Sequence, residues 1–156
     1  MNRVDLEKRG FGIWTPLRNA REVGLLPNFP GVYAVSYAGE APLDWPVSSC
    51  GGWHKGRNPA VHPDRLRAEW VEDTDLVYIG KTDRTLAKRI GEFERFGNGE
   101  PVAHWGGRLV WQLPDPAMLT IGWLELAPGQ ASSAEAAMLG EFFDRYGKLP
   151  FANLRR

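Results

Sequence analysis

The sequence predicts an α+β domain: a small antiparallel sheet of three strands with helices flanking it. Three observations carry this expectation. Short β-rich runs at 30–37, 75–80 and 118–126 read as strands. Residues 83–96 and 132–146 repeat apolar side chains at three- and four-residue spacings, the helical period. Gly- and Pro-rich stretches separate these segments. At 156 residues the chain fits one domain with its own core, and it contains no internal repeat.

In chain order, Thr15-Pro16 reads as the cap and first residue of a short helix closed by Gly24. This helix belongs to an N-terminal extension, residues 1–29. The run 30–37 places Val32, Ala34 and Ser36 on one face of a strand and Tyr33, Val35 and Tyr37 on the other. Residues 38–74 form a long excursion rich in Gly, Pro and Trp, with a short helix expected after His62-Pro63. A second strand, 75–80, pairs with the first. A helix over 83–96 stops at Gly97. Residues 98–114 are ambiguous, and 108–113 fits either strand or helix. The third strand is 118–126. Ser132 or Ser133 caps the last helix, which ends at Gly147 with Pro150 beyond.

Bulk properties exclude several classes. A hydrophobic content of 43% with 12% aromatics is that of a folded chain rather than a disordered one. Lys plus Arg equals Asp plus Glu at 19 each, which argues against electrostatic coating of nucleic acid but leaves room for a local basic cleft. The single cysteine, Cys50, permits no intrachain disulfide and suits a reducing compartment. No apolar run approaches the roughly 20 residues of a membrane span, and residues 1–10 lack a signal peptide's apolar stretch. The expectation is a cytoplasmic protein with no membrane partner.

Two charges stand on apolar helix faces. Arg89 flanks the stripe of Leu86, Ile90, Phe93 and Phe96. It is either an arginine snorkelling at the core margin or a guanidinium presented for bidentate hold on a phosphate. Glu135 lies along the face made by Met138, Leu139 and Phe142. It either closes a capping box in Ser132-Ser133-Ala134-Glu135 or reaches into a site to hold a hard divalent cation. Tyr33 and Tyr78 read as ordinary strand aromatics or as site hydroxyls. Cys50, His54, His62 and Asp64 fit no common zinc spacing. In the excursion, Trp45, Trp53, Lys55, Arg57, Arg65 and Arg67 interleave aromatics with cations. That pattern suits a solvated loop pinned by tryptophans or a nucleic-acid groove, where target selection would lie.

Gly31-Val32-Tyr33, Tyr78-Ile79-Gly80, Arg89 on the following helix, Glu135 in Ala134-Glu135-Ala136 and Asn153 near the end occur in the order of the GIY-YIG nuclease superfamily, which the chain resembles from 30 to 154. Two departures stand out. The 38–74 excursion, longer than the usual gap between the motifs, resembles the insertion of restriction-enzyme members. Phe93 occupies the place, four after the arginine, where the family often has His or Tyr; His104 is the candidate to cover that role.

The resemblance implies a divalent-metal-dependent endonuclease hydrolysing DNA, with double-stranded DNA the expected partner, in restriction, defence or a mobile element. Tyr33 would be general base, Arg89 the phosphate clamp and Glu135 the ligand of Mg²⁺ (or Mn²⁺), with Tyr78, Lys81 and Asn153 in support. Arg84, Lys88, Lys55 and Arg57 are the expected substrate-binding cations. One active site cuts one strand, so double-strand cleavage would call for a homodimer or two binding events. Two alternatives stay open: an inactive nucleic-acid-binding module of the same fold, for which Phe93 argues, and a protein-interaction domain.

Overall fold

Strand β2 (Gly31–Tyr37) is the spine of the molecule, with all seven residues buried. In the computed structural model, which describes residues 1–155, it pairs antiparallel on both sides, with β4 (Leu119–Glu125) and with β3 (Leu76–Thr82). A central strand covered on both faces needs apolar or small residues throughout, and Val32, Tyr33, Ala34 and Val35 supply them. Tyr33 sits opposite Gly80 on one side and Trp123 on the other.

The sheet has four strands, not the expected three. Residues Gly12–Pro16 form β1, which pairs with β4 to give the order β1-β4-β2-β3. Thr15-Pro16 therefore ends an edge strand instead of opening a helix, and only a single 3₁₀ turn, Leu17–Asn19, follows. Proline lacks the N–H that an inner strand would require, but a strand end at the sheet edge tolerates it. Register shifts between Gly12 and Thr15, where Ile13 takes a φ of 43°. That bulge interrupts the alternation by which a strand is recognised.

Each face of the sheet carries its own apolar core. Tyr33, Val35 and Tyr37 pack with Leu86, Ile90 and Phe93 of helix α3 (Leu86–Gly97). Val32 and Ala34, pointing the other way, meet Met138, Leu139 and Phe142 of helix α4 (Ala131–Tyr146). The short α1 (Arg3–Glu7) adds Leu6 to that second core. The alternation read from 30–37 is thus the division between the two cores.

The excursion is packed. Trp45 stacks on Phe151 at 5.9 Å, and Trp70 meets the same ring at 5.5 Å. Gln112 is 1% exposed, in the 3₁₀ helix Arg108–Gln112, and its amide holds Pro46 and both backbone groups of Val61 at 2.8–2.9 Å. Helix α2 (Pro63–Glu69) begins where expected, capped by the His62 side chain. Among the described residues no helix is long and apolar enough to cross a membrane.

Candidate active site

The glycines of the two strand motifs are demanded by packing. A Cβ on Gly31 would lie 2.2 Å from the Leu124 carbonyl oxygen, and one on Gly80 would lie 2.7 Å from the Tyr33 hydroxyl and 2.9 Å from the Tyr78 ring. Gly80 therefore makes room for two tyrosine rings brought together across the β2–β3 pair, with centroids 6.1 Å apart.

Three aromatic rings, those of Tyr78, Phe93 and His104, close around Tyr33. Phe93 arrives from α3, and His104, from the loop after α3, lies flat on Phe93 with centroids 3.8 Å apart and planes 6° from parallel. This stacking puts His104 Nε2 3.0 Å from the Tyr33 hydroxyl. Both residues are fully buried, and the other ring nitrogen, Nδ1, is buried without a hydrogen-bond partner. The flat phenyl face thus supports an imidazole carried in by another segment.

Arg89 sits at the rim of this cluster. Its Nη1 donates to the Ala103 carbonyl at 3.1 Å, one residue before His104, and to Glu92 at 3.3 Å. Burial acts to lower the Arg89 pKa, but the neighbouring Tyr33 and Tyr78 oxygens outweigh it and the pKa is raised. Burial pushes the Tyr33 phenol up, against the opposing pull of Arg89. Tyr78 is raised well above the usual tyrosine range by burial and then by Tyr33. Burial, seconded by the Arg89 charge, drives His104 well below the ordinary histidine value. At neutral pH the cluster is two phenols, a neutral imidazole and one guanidinium.

Beside the cluster a cleft of about 490 Å³ is lined by Tyr78, Glu135, Leu139, Asn153, Trp105 and Arg108, among others. Tyr78 and Trp105 come from the α3 side of the sheet and Leu139 from the α4 side. The cleft therefore opens along the β3 edge, where the two layers meet. Helix α4 begins at Ala131 with Gln130 as a cap that makes no side-chain bond, and the Ser133 hydroxyl donates to the Gln130 carbonyl. The capping box of the sequence reading does not form. Glu135 lies inside the helix, where its carboxylate makes no hydrogen bond among the described residues. Burial raises its pKa, against Lys81 and Arg89.

A half-buried carboxylate without a donor is costly, and a hard cation would relieve it. A lone carboxylate suits Mg²⁺, which keeps most of its waters. No cluster of three or more His, Cys, Asp or Glu that could hold a metal exists among the described residues. His62 caps α2, and the Cys50 thiol donates to the Trp111 carbonyl.

The remaining expected site residues divide. Lys81 pairs closely with Asp83 and acts electrostatically on Glu135. Asn153 is turned to the fold: its amide bonds both backbone groups of Ile79, at 2.9 and 2.7 Å, on the outer edge of β3. Arg84 is held by Glu92 through two bonds of 3.0 and 2.7 Å. Lys88 lies with Arg21 and Arg95 on another surface of α3, apart from the cleft. Lys55 and Arg57 flank an exposed turn in the excursion and line no part of the cleft.

Sequence reasoning passed over Trp105 and Arg108. The available signal was the one that singled out Arg89, a cation at the margin of an apolar run, here Leu109-Val110-Trp111. No family model matches this chain, and no curated protein or solved structure matches it either.

Proposed function

We propose that the protein is a GIY-YIG-type, divalent-metal-dependent endonuclease that hydrolyses DNA phosphodiester bonds. The observation that carries this reading is the Tyr33 hydroxyl held 3.0 Å from a neutral His104, with Arg89 at its rim and Glu135 in the adjoining cleft.

A tyrosine of raised pKa is a poor base by itself. Bonded to a neutral imidazole it becomes a relay: Tyr33 takes a proton from the attacking water as it passes its own to His104 Nε2. The water oxygen bonds to phosphorus and the bond to the 3′ oxygen breaks, leaving a 5′-phosphate; a solvent water protonates the 3′ oxygen to a hydroxyl, and His104 returns its proton through Tyr33 to the hydroxide left behind. The imidazolium formed beside Arg89 would be unfavourable in the free protein, and the bound phosphate supplies the compensating charge. Arg89 neutralises the phosphoryl oxygens, for which its planar donor set is suited. Glu135 would hold Mg²⁺, which when bound supplies Lewis acidity for the leaving oxygen. Tyr33 is fully buried, so phosphate and water must reach its hydroxyl by opening the Arg89 bond to Ala103 while His104 keeps its stack on Phe93.

That same burial, with Phe93 in the core, favours a second reading: a nucleic-acid-binding module of this fold without chemistry. Cleavage of labelled plasmid and linear DNA in Mg²⁺ or Mn²⁺ separates the two. The nuclease loses cleavage by about 10²–10³-fold or more in Arg89→Ala and in Glu135→Ala while both variants stay folded. The module cuts nothing in any metal and binds DNA equally well as Glu135→Ala.

A further inference from the structure

The cleft lining carries a cation with no carboxylate partner among the described residues. The Arg108 guanidinium stacks over the Trp105 ring at 4.6 Å, and its Nη1 donates to the Trp105 carbonyl at 3.3 Å. Its Nε is buried and unbonded, and no carboxylate pairs with it among the described residues. Elsewhere in the chain arginines at such margins are neutralised: Arg84 by Glu92, Arg21 by the buried Glu94, Arg95 by Glu100. Here the nearest charge effect is repulsive. Burial and then Arg65 of α2 lower the Arg108 pKa. Arg65 has a carboxylate of its own, Glu69 at 3.9 Å, whereas the half-buried Arg108, braced on an indole and lining the cleft, has none and is arranged for an anion that is not part of the protein.

We infer that Trp105, Arg108 and Arg65 form a second phosphate subsite, which holds the nucleic-acid phosphodiester neighbouring the one clamped by Arg89. This rests on the nuclease reading. Trp105 fixes the guanidinium plane, Arg108 donates to the phosphate, and Arg65 extends the positive field onto the excursion. The subsite sets the path of the strand across the cleft, and it gives the insertion a direct part in substrate binding.

The test is binding of a fluorescent DNA duplex by the full chain at several salt concentrations, with Ca²⁺ present to avoid turnover, and cleavage of the same duplex in Mg²⁺. Neutralising one phosphate contact lowers the slope of log K against log salt by about 1. Arg108→Gln should therefore show that drop in slope together with an affinity loss of about tenfold. Arg108→Lys, which keeps the charge, should keep the slope. Arg65→Gln alters an exposed side chain of α2 whose ion pair is a 3.9 Å contact with Glu69, so it remains informative if Arg108→Gln does not fold, and it should weaken binding in the same sense. Wild type that cuts DNA while Arg108→Gln and Arg65→Gln bind with unchanged affinity and slope overturns the subsite alone. Wild type that shows no salt-dependent binding overturns the subsite and the nuclease reading together.

Discussion

At the scale of single residues, the site turns on the protonation state of His104. Its buried imidazole is held neutral by desolvation and by Arg89, and neutrality is what a proton acceptor for Tyr33 requires. The same burial has a measurable cost in acid. The native pKa lies below the ordinary value of 6.5, so as pH falls through about 6.5 the unfolded chain takes up a proton that the native state does not. The unfolded state then binds more protons, and stability falls with falling pH. His104→Gln, which keeps a polar group near the Tyr33 hydroxyl but cannot titrate, should flatten the decline in Tm between about pH 7.5 and 5.5. An unchanged slope would mean that another group titrates there. Under the proposed relay the same variant should lose cleavage, since an amide accepts a hydrogen bond but not a proton.

At the scale of elements, β3 is where fold and site are hardest to separate. Gly80→Ala would drive a methyl group into the Tyr33 hydroxyl and the Tyr78 ring. The rings must shift by a few tenths of an ångström or more, so we expect cleavage to fall by about 10²-fold with a smaller effect on folding. Paired cleavage and urea-unfolding measurements would show it. Asn153→Ala should do the reverse. It strips both partners from Ile79 on the β3 edge, which should cost about 2 kcal/mol of unfolding free energy and speed exchange of the Ile79 amide. The sequence disclosed these elements unevenly. The strands at 31–37 and 76–82 were legible because side chains of two distinct cores alternate along them. Strand β1 was not, because a bulge and a proline erase its period. Arg89 was legible from its helix wheel, whereas Ser132 to Glu135 fitted two structures, and the helix start at Ala131 with no side-chain cap separates them. The order within the excursion depends on Gln112, more than fifty residues from Val61 in the chain, a pairing that no local pattern announces. His104 follows the same logic: its role depends on Phe93 in space.

At the scale of the whole molecule, the sheet divides two cores, and the cleft opens at the edge where they meet. Tyr33, Arg89 and His104 belong to one layer and Glu135 to the other. A cation on Glu135 and a phosphate on Arg89 would therefore bridge layers that otherwise touch through the sheet. Without that bridge Glu135 is a liability. Its native pKa is raised above 4.5 by burial, so the native state binds more protons than the unfolded one above about pH 4.5. The stability present in acid is then lost as pH rises through the native pKa. At pH 7 in EDTA, Glu135→Gln should therefore melt above wild type. Adding Mg²⁺ should reverse the order: it binds only the folded wild type, raising its Tm with concentration according to RT ln(1 + [L]/Kd), and leaves Glu135→Gln unmoved. A glutamine variant that melts below wild type in EDTA would show that the carboxylate has a partner in the fold. A variant that still gains from Mg²⁺ would put the metal elsewhere.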